Sequence, residues 1–268
     1  MDAELNAYSV AIVPVEEGAD GEGKLNPLEQ GSGTCVRIGG RFFVATAAHL
    51  VSKFPSLRYA VLTPSTTNEV LRVLGGGRRG GGLRDEVDVA WLELAPRGAA
   101  IAGRHFLDLA RLGAYRDGRG EDVSVYGAPT QLGIRGEREG LPSYTAVGRM
   151  FPTRAMSRAE VGEVDHARRI HLHWPRIVAG HNDESFEYPE APGLSGGAIW
   201  AMNTDTHGEG WRADLAQLIG IEFAVQRARG YRYLIGQQLQ VWLEMVAEDV
   251  PELEPIVRAH LVACRTVI

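Results

Sequence analysis

Two adjacent glycines, Gly39-Gly40, stand between the apolar runs Cys35–Ile38 and Arg41–Thr46. A Gly-Gly pair suits the tight turns whose twist matches that of paired strands, so this stretch dictates an antiparallel hairpin. Similar short runs at Ala7–Val15, Arg58–Thr63, Glu69–Leu74, Val87–Leu94 and Ile170–Trp174 read as further strands. The chain has 33 glycines in 268 residues, enough turn formers to separate many short strands, and 44% hydrophobic residues to fill a core. The expectation is an all-β chain forming one large or two small β units. One segment differs. In Gln237–Val246 the apolar residues Leu239, Val241, Trp242, Leu243 and Val246 have helical spacing. After a break from Pro251 to Pro255, Ile256–Ala263 reads as one more short helix.

Three local contexts carry chemistry. Pro192-Gly193-Leu194-Ser195-Gly196-Gly197-Ala198 presents a serine among glycines, where backbone N–H groups can approach a reacting carbonyl. Phe43-Val44-Ala45-Thr46-Ala47-Ala48-His49 is an apolar run ending in a histidine, and Val87-Asp88-Val89-Ala90-Trp91 opens a strand with an aspartate. A serine nucleophile needs a base for its proton, and the base needs a carboxylate to fix its tautomer. Each residue alone has a bland reading, as a turn serine, a structural histidine or a strand-edge aspartate. The order His, Asp, Ser matches one known triad arrangement and differs from that of the α/β-hydrolases.

These segments resemble the trypsin/chymotrypsin-like serine peptidases. The resemblance rests on Thr46-Ala47-Ala48-His49, Asp88-Val89-Ala90-Trp91-Leu92 and Gly193-Leu194-Ser195-Gly196-Gly197. Weaker support comes from Gly31-Ser32-Gly33-Thr34, as in the bacterial HtrA-like branch, from Val123–Pro129 and from Leu218–Ile221. It implies two six-stranded antiparallel β-barrels with a C-terminal helix. Residues 1–118 would carry His49 and Asp88, residues 119–235 would carry Ser195, and residues 236–268 would form the helix and tail. It further implies a serine endopeptidase in which Ser195 attacks a peptide carbonyl, His49 takes its proton, Asp88 orients His49, and the N–H groups of Gly193 and Ser195 bind the oxyanion. No metal and no organic cofactor are called for. The family's primary pocket would map near Pro189, Glu190, Glu222, Phe223 and Ala224. Leu194 stands where zymogen-activated members carry an aspartate, so that activation route is not expected. Alternatives are a catalytically silent fold that binds peptides or a partner, and an esterase using the same triad.

Composition limits the partners. The net charge of −6 argues against a general nucleic-acid binder, and no apolar run is long enough to span a membrane. Met1–Asn6 lacks the basic start and apolar core of a signal peptide, which sets cytoplasmic localisation as the expectation. A peptidase there would need narrow specificity or a regulatory protein partner. Cys35 and Cys264 are expected to stay unpaired. His171 and His173 project to one strand face, but without a third nearby ligand they read as a solvent-facing pair rather than a zinc site. Gly75–Gly82 reads as a low-complexity surface loop, residues 98–120 as a linker, and the charged stretches 131–142 and 150–168 as irregular loops. The acidic stretch 183–190, with no basic residue of its own, offers either a field for basic substrate side chains or a solvated face.

Overall fold

The Gly39-Gly40 turn forms as the sequence requires: both glycines have positive φ, and Ile38 pairs with Arg41 across a two-residue loop. The computed structural model describes residues 2–17, 23–25, 29–52, 58–62, 72–74, 79–84, 87–96, 104–115, 122–138, 141–161, 168–179, 185–204, 210–228 and 231–266. The chain is mostly β. Its first half supplies β1 (Ser9–Glu17), β2 (Gly23–Leu25), β3 (Gly31–Ile38), β4 (Arg41–Thr46), β5 (Arg58–Leu62), β6 (Arg72–Leu74), β7 (Arg79–Arg84) and β8 (Val87–Leu94). They form one antiparallel sheet in the order β6-β5-β1-β3-β4-β8-β7, with β2 paired to β1.

The second half supplies β9 (Asp122–Gly127), β10 (Ile134–Arg138), β11 (Leu141–Thr145), β12 (Arg149–Arg154), β13 (Arg169–His173), β14 (Ile177–Ala179), β15 (Ser185–Glu187), β16 (Ala198–Ala201), β17 (Gln217–Ala228) and β18 (Tyr231–Gln238). Six of them make a second antiparallel sheet, β12-β9-β16-β17-β18-β13; β10-β11 and β14-β15 are separate hairpins. An antiparallel bridge between Ala155 and Leu172 joins the two outer strands at one end, so this sheet curls on itself.

Helices are few: α1 (Asp2–Asn6), α2 (Ala48–Ser52), α3 (Arg158–Val161), α4 (Leu239–Asp249) and α5 (Glu254–Thr266). α4 has the one-faced pattern read from the sequence, with Leu239, Val241, Trp242, Leu243, Val246 and Ala247 buried. The core it joins is continuous across both sheets, taking in Phe43 and Trp91 from the first and Tyr126, Trp200 and Ile221 from the second. Residues 104–115, expected as a linker, form a strap bonded to each sheet: Leu107 bridges to Val36, and Leu112 to Leu218. No described helix is long and apolar enough to cross a membrane.

Four expectations are corrected. Within 131–142, Ile134–Arg138 is no irregular loop but pairs with Leu141–Thr145 as a hairpin. Residues 79–82 are not loop but part of β7, paired through its length with β8; residues 75–78 lie outside the described residues. Lacking a Cβ, Gly80 lets the Trp91 ring and the Asp249 carboxylate lie directly against the strand. Residues 149–154 are an edge strand rather than an irregular loop; Phe151 is buried, and Pro152 is tolerated because an edge strand can spare one donor. His171 is buried against the Tyr233 ring instead of facing solvent, whereas His173 is only partly buried.

The Asp249 carboxylate ties α4 to the sheet edge. Its Oδ2 accepts the Trp91 indole N–H at 2.9 Å and the Gly81 N–H at 3.2 Å. Asp249→Ala leaves both donors without this acceptor, and the expected loss is about 1–3 kcal/mol in urea unfolding. A loss within error of zero would show that water replaces the carboxylate at no cost.

Candidate active site

The register of β4 against β8 brings the histidine and the aspartate together. Thr46, the last residue of β4, pairs with Ala90. His49, the second residue of α2, follows Thr46 by three residues, and Asp88 lies two residues before Ala90, so both emerge at the same end of the sheet. There His49 Nδ1 lies 2.8 Å from Asp88 Oδ2, and the His49 backbone N–H donates to Asp88 Oδ1 at 2.9 Å. The carboxylate thus grips the residue twice. The Asp88 side chain is 13% exposed and that of His49 38%, which leaves the imidazole edge open while its anchor is shielded. Behind this strand the Trp242 indole N–H donates to the Ala90 carbonyl at 2.9 Å, bracing the backbone beside Asp88.

Ser195 lies in the turn that precedes β16, and Ser32 ties this turn to the first sheet. The Ser32 N–H donates to the Ser195 carbonyl at 2.6 Å. The Ser32 hydroxyl donates to the Gly193 carbonyl at 2.7 Å and accepts the Ala128 N–H at 2.8 Å. The Ser32 carbonyl accepts the Thr46 hydroxyl at 2.7 Å. One residue of β3 therefore links the serine turn to the end of the strand that leads into His49. In the sequence the only sign of this role was the Gly31-Ser32-Gly33-Thr34 pattern. Gly196 has φ +87°, and a Cβ there would overlap the Ser32 carbonyl oxygen and Thr46 Oγ1. Leu194 is fully buried in the apolar cluster with Val125, Trp174, Tyr188 and Ile199, so an apolar side chain anchors the turn in the second-half core.

The turn's N–H groups divide into two sets. Those of Leu194, Gly196 and Gly197 donate to the carbonyls of Ala191, Glu222 and Leu194. Among the described residues, those of Gly193 and Ser195 donate to no backbone carbonyl, which leaves two donors available on either side of Leu194. Gly193 has φ +92°. The Ser195 hydroxyl is partly buried, and its partner is the Phe223 carbonyl at 3.4 Å.

Residues expected at a substrate wall fall in different surroundings. β17 shifts register between Glu222 and Ala224, so Phe223 is the extra residue of a bulge, a device that re-aims a strand locally. Phe223 and Ala224 are partly buried and pack against Met156, Tyr233 and Ile235. Pro189 is buried, and its carbonyl accepts from the Trp174 indole at 3.3 Å and from Arg232 at 3.2 Å. Glu190 is exposed and ion-paired with Arg232 at 3.1 Å, and Glu187 is paired with Arg176 at 2.9 Å. These arginines come from outside the acidic stretch and offset the field it was expected to project. Asp183 and Glu184 lie outside the described residues. Glu222 does not offer its side chain to solvent: it is 1% exposed, and burial together with the nearby Asp88 charge pushes its carboxyl well above the usual carboxylate range.

The arrangement can orient an imidazole through a shielded carboxylate and can present two N–H donors beside a serine. No protein-family model matches the chain, and no curated protein matches it.

Proposed function

We propose that the chain is a serine endopeptidase that cleaves a protein or peptide substrate by acyl transfer, on a two-barrel fold of the trypsin-like kind. The observation that carries this reading is the double grip of Asp88 on His49, placed where Ser32 and Thr46 hold the Ser195 turn against the first sheet. The curled second sheet, the antiparallel order of both sheets and the terminal helix α4 support the two-barrel reading.

In the proposed reaction the Ser195 hydroxyl turns from the Phe223 carbonyl to His49 Nε2 and attacks the substrate carbonyl as His49 takes its proton. Catalytic hydrogen bonds often align only once substrate is bound. Asp88 accepts a hydrogen bond from Nδ1–H without taking the proton, which keeps Nε2 free as the acceptor and stabilises the imidazolium that forms. The free N–H groups of Gly193 and Ser195 bind the oxyanion of the tetrahedral intermediate. His49 then returns its proton to the leaving amine, and water hydrolyses the acyl-enzyme. Regulation by a companion protein belongs to the same proposal.

A fluorophosphonate probe tests it. Covalent labelling is expected on Ser195, located by peptide mass, and is expected to vanish in Ser195→Ala with unchanged circular dichroism. A folded parent protein that takes no probe would sink the hydrolase reading and leave a silent binding fold. Probe labelling combined with turnover of simple esters and none of a peptide library would point to an esterase.

A further inference from the structure

Every carbonyl from Ala191 to Ser195 is taken by a donor. The Ala191 carbonyl accepts the Leu194 N–H at 2.9 Å, that of Pro192 the Thr130 N–H at 2.9 Å, and that of Leu194 the Gly197 N–H at 2.7 Å. Ser32 supplies the other two, through its hydroxyl to Gly193 at 2.7 Å and its N–H to Ser195 at 2.6 Å. In a trans peptide the carbonyl and the following N–H point in opposite directions. The bond at Pro192 therefore turns the Gly193 N–H away from Thr130, and the bond at Leu194 turns the Ser195 N–H away from Gly197. The second lock lies within the serine turn itself, whereas the first comes from a distant part of the chain. Thr130 opens the short 3-10 turn Thr130–Leu132 that follows β9. An N–H at the start of such a turn has no partner inside it and is spare for an outside acceptor. Two more bonds seat this turn against the serine segment. The Glu190 N–H donates to Gln131 Oε1 at 2.9 Å, and the Ser32 hydroxyl that holds Gly193 also accepts the Ala128 N–H at 2.8 Å. Packing is close, since a Cβ on Gly193 would overlap the Thr130 nitrogen and the Ala128 carbonyl oxygen.

We propose that Thr130 is a positioning residue for the oxyanion site: its N–H, braced by the Ser32 hydroxyl, latches the Pro192–Gly193 peptide so that the Gly193 N–H stays presented beside Ser195. Without the latch this peptide is able to rotate, which withdraws the donor and turns the Pro192 carbonyl toward the place it left. The kinetic consequence rests on the acyl-transfer reading. On that reading the oxyanion site is set before substrate arrives, and the Ala128–Gln131 turn is the point at which it can be switched off. The orientation of the peptide does not depend on that reading.

Thr130→Pro removes this one donor. Proline suits the first position of such a turn, and Pro129, at φ −57° and ψ 135°, has the extended backbone that a following proline requires. Thr130→Ala keeps the N–H and is the reference. The first measurement is the rate of Ser195 phosphonylation across fluorophosphonate concentrations, with circular dichroism and Tm followed in parallel. At saturating probe Thr130→Pro is expected to react about a hundredfold more slowly than Thr130→Ala, the effect of losing one oxyanion donor. The half-saturating probe concentration is expected to change little, whereas a general loosening of the cleft would move both quantities. Equal rates for the two folded variants would overturn the proposal. Ser32→Ala removes the brace and leaves every backbone donor in place, and it carries the test if Thr130→Pro does not fold. It is expected to react about tenfold more slowly than the parent. A rate equal to that of the parent would likewise overturn the proposal. The second measurement is a crystal structure of each Thr130 variant. The Pro192 carbonyl is expected to stay on the N–H of position 130 in Thr130→Ala and to turn away in Thr130→Pro; an unmoved carbonyl in Thr130→Pro counts against the latch. If neither the parent nor any variant takes the probe, the peptidase reading fails, and these structures still decide whether the peptide is latched.

Discussion

Asp88→Asn is expected to fold like the parent and to lose roughly four orders of magnitude in the rate of Ser195 acylation. Both Asp88 oxygens accept from the same residue, Oδ1 from the His49 backbone N–H and Oδ2 from Nδ1. An asparagine can offer only one carbonyl oxygen to these two donors. With that oxygen on the backbone N–H, the amide NH2 faces Nδ1 and forces it to become the acceptor. The ring proton then moves to Nε2, where the serine needs an acceptor. The fold is retained because the backbone bond survives and the substitution is isosteric. The check is the second-order rate of fluorophosphonate labelling, with Tm followed in parallel. A rate within tenfold of the parent would show that His49 does not depend on Asp88 for its tautomer.

Gly196→Ala is expected to have the largest effect on stability of any single methyl addition in the serine turn, about 3 kcal/mol or more by urea unfolding. Two costs add there. At φ +87° an L-residue is strained, and the new Cβ would press on the Ser32 carbonyl oxygen and Thr46 Oγ1, a hydrogen-bonded pair at 2.7 Å. Backbone on one side and a committed hydroxyl on the other leave the methyl no cheap way out, so the turn must lift from β3. The control is Gly40→Ala in the hairpin. There φ is +79° but nothing lies within 4 Å of the added Cβ, so only the backbone cost of about 1–2 kcal/mol applies. Equal losses in the two variants would mean that the serine turn is not seated tightly on β3. A loss of labelling in Gly196→Ala under conditions where the protein remains folded would tie the seating of the turn to its reactivity.

Local signals in the chain survived folding where the physics was local. The Gly39-Gly40 hairpin formed as read because its turn chemistry and the apolar runs around it act within a dozen residues. α4 formed because a 3.6-residue apolar period needs only some core to face. The strand after Asp88 was legible from its alternation, and β4 from its apolar run. The strand Arg149–Arg154, most of it within the stretch 150–168 that the sequence suggests is loop, is illegible because one buried side chain, Phe151, leaves an edge strand without a strong period. The glycines of β7 suggest loop because composition cannot show that Trp91 and Asp249 occupy the space left by the missing side chain of Gly80.

The candidate site divides in the same way. His49, Asp88 and Ser195 were visible because each sits in a short, recognisable context. The sequence alone thus determined an all-β expectation, a terminal helix and three residues suited to nucleophilic chemistry in a given order. Only the tertiary structure decided that His49 and Asp88 meet, because the β4–β8 register sets that distance. It also decided that Ser32 ties two sheets together, that Arg232 and Arg176 offset the acidic stretch, and that Glu222 is buried beside Asp88. Each of these depends on groups distant in the chain being brought within hydrogen-bonding or Coulombic range, and no local pattern encodes such a distance.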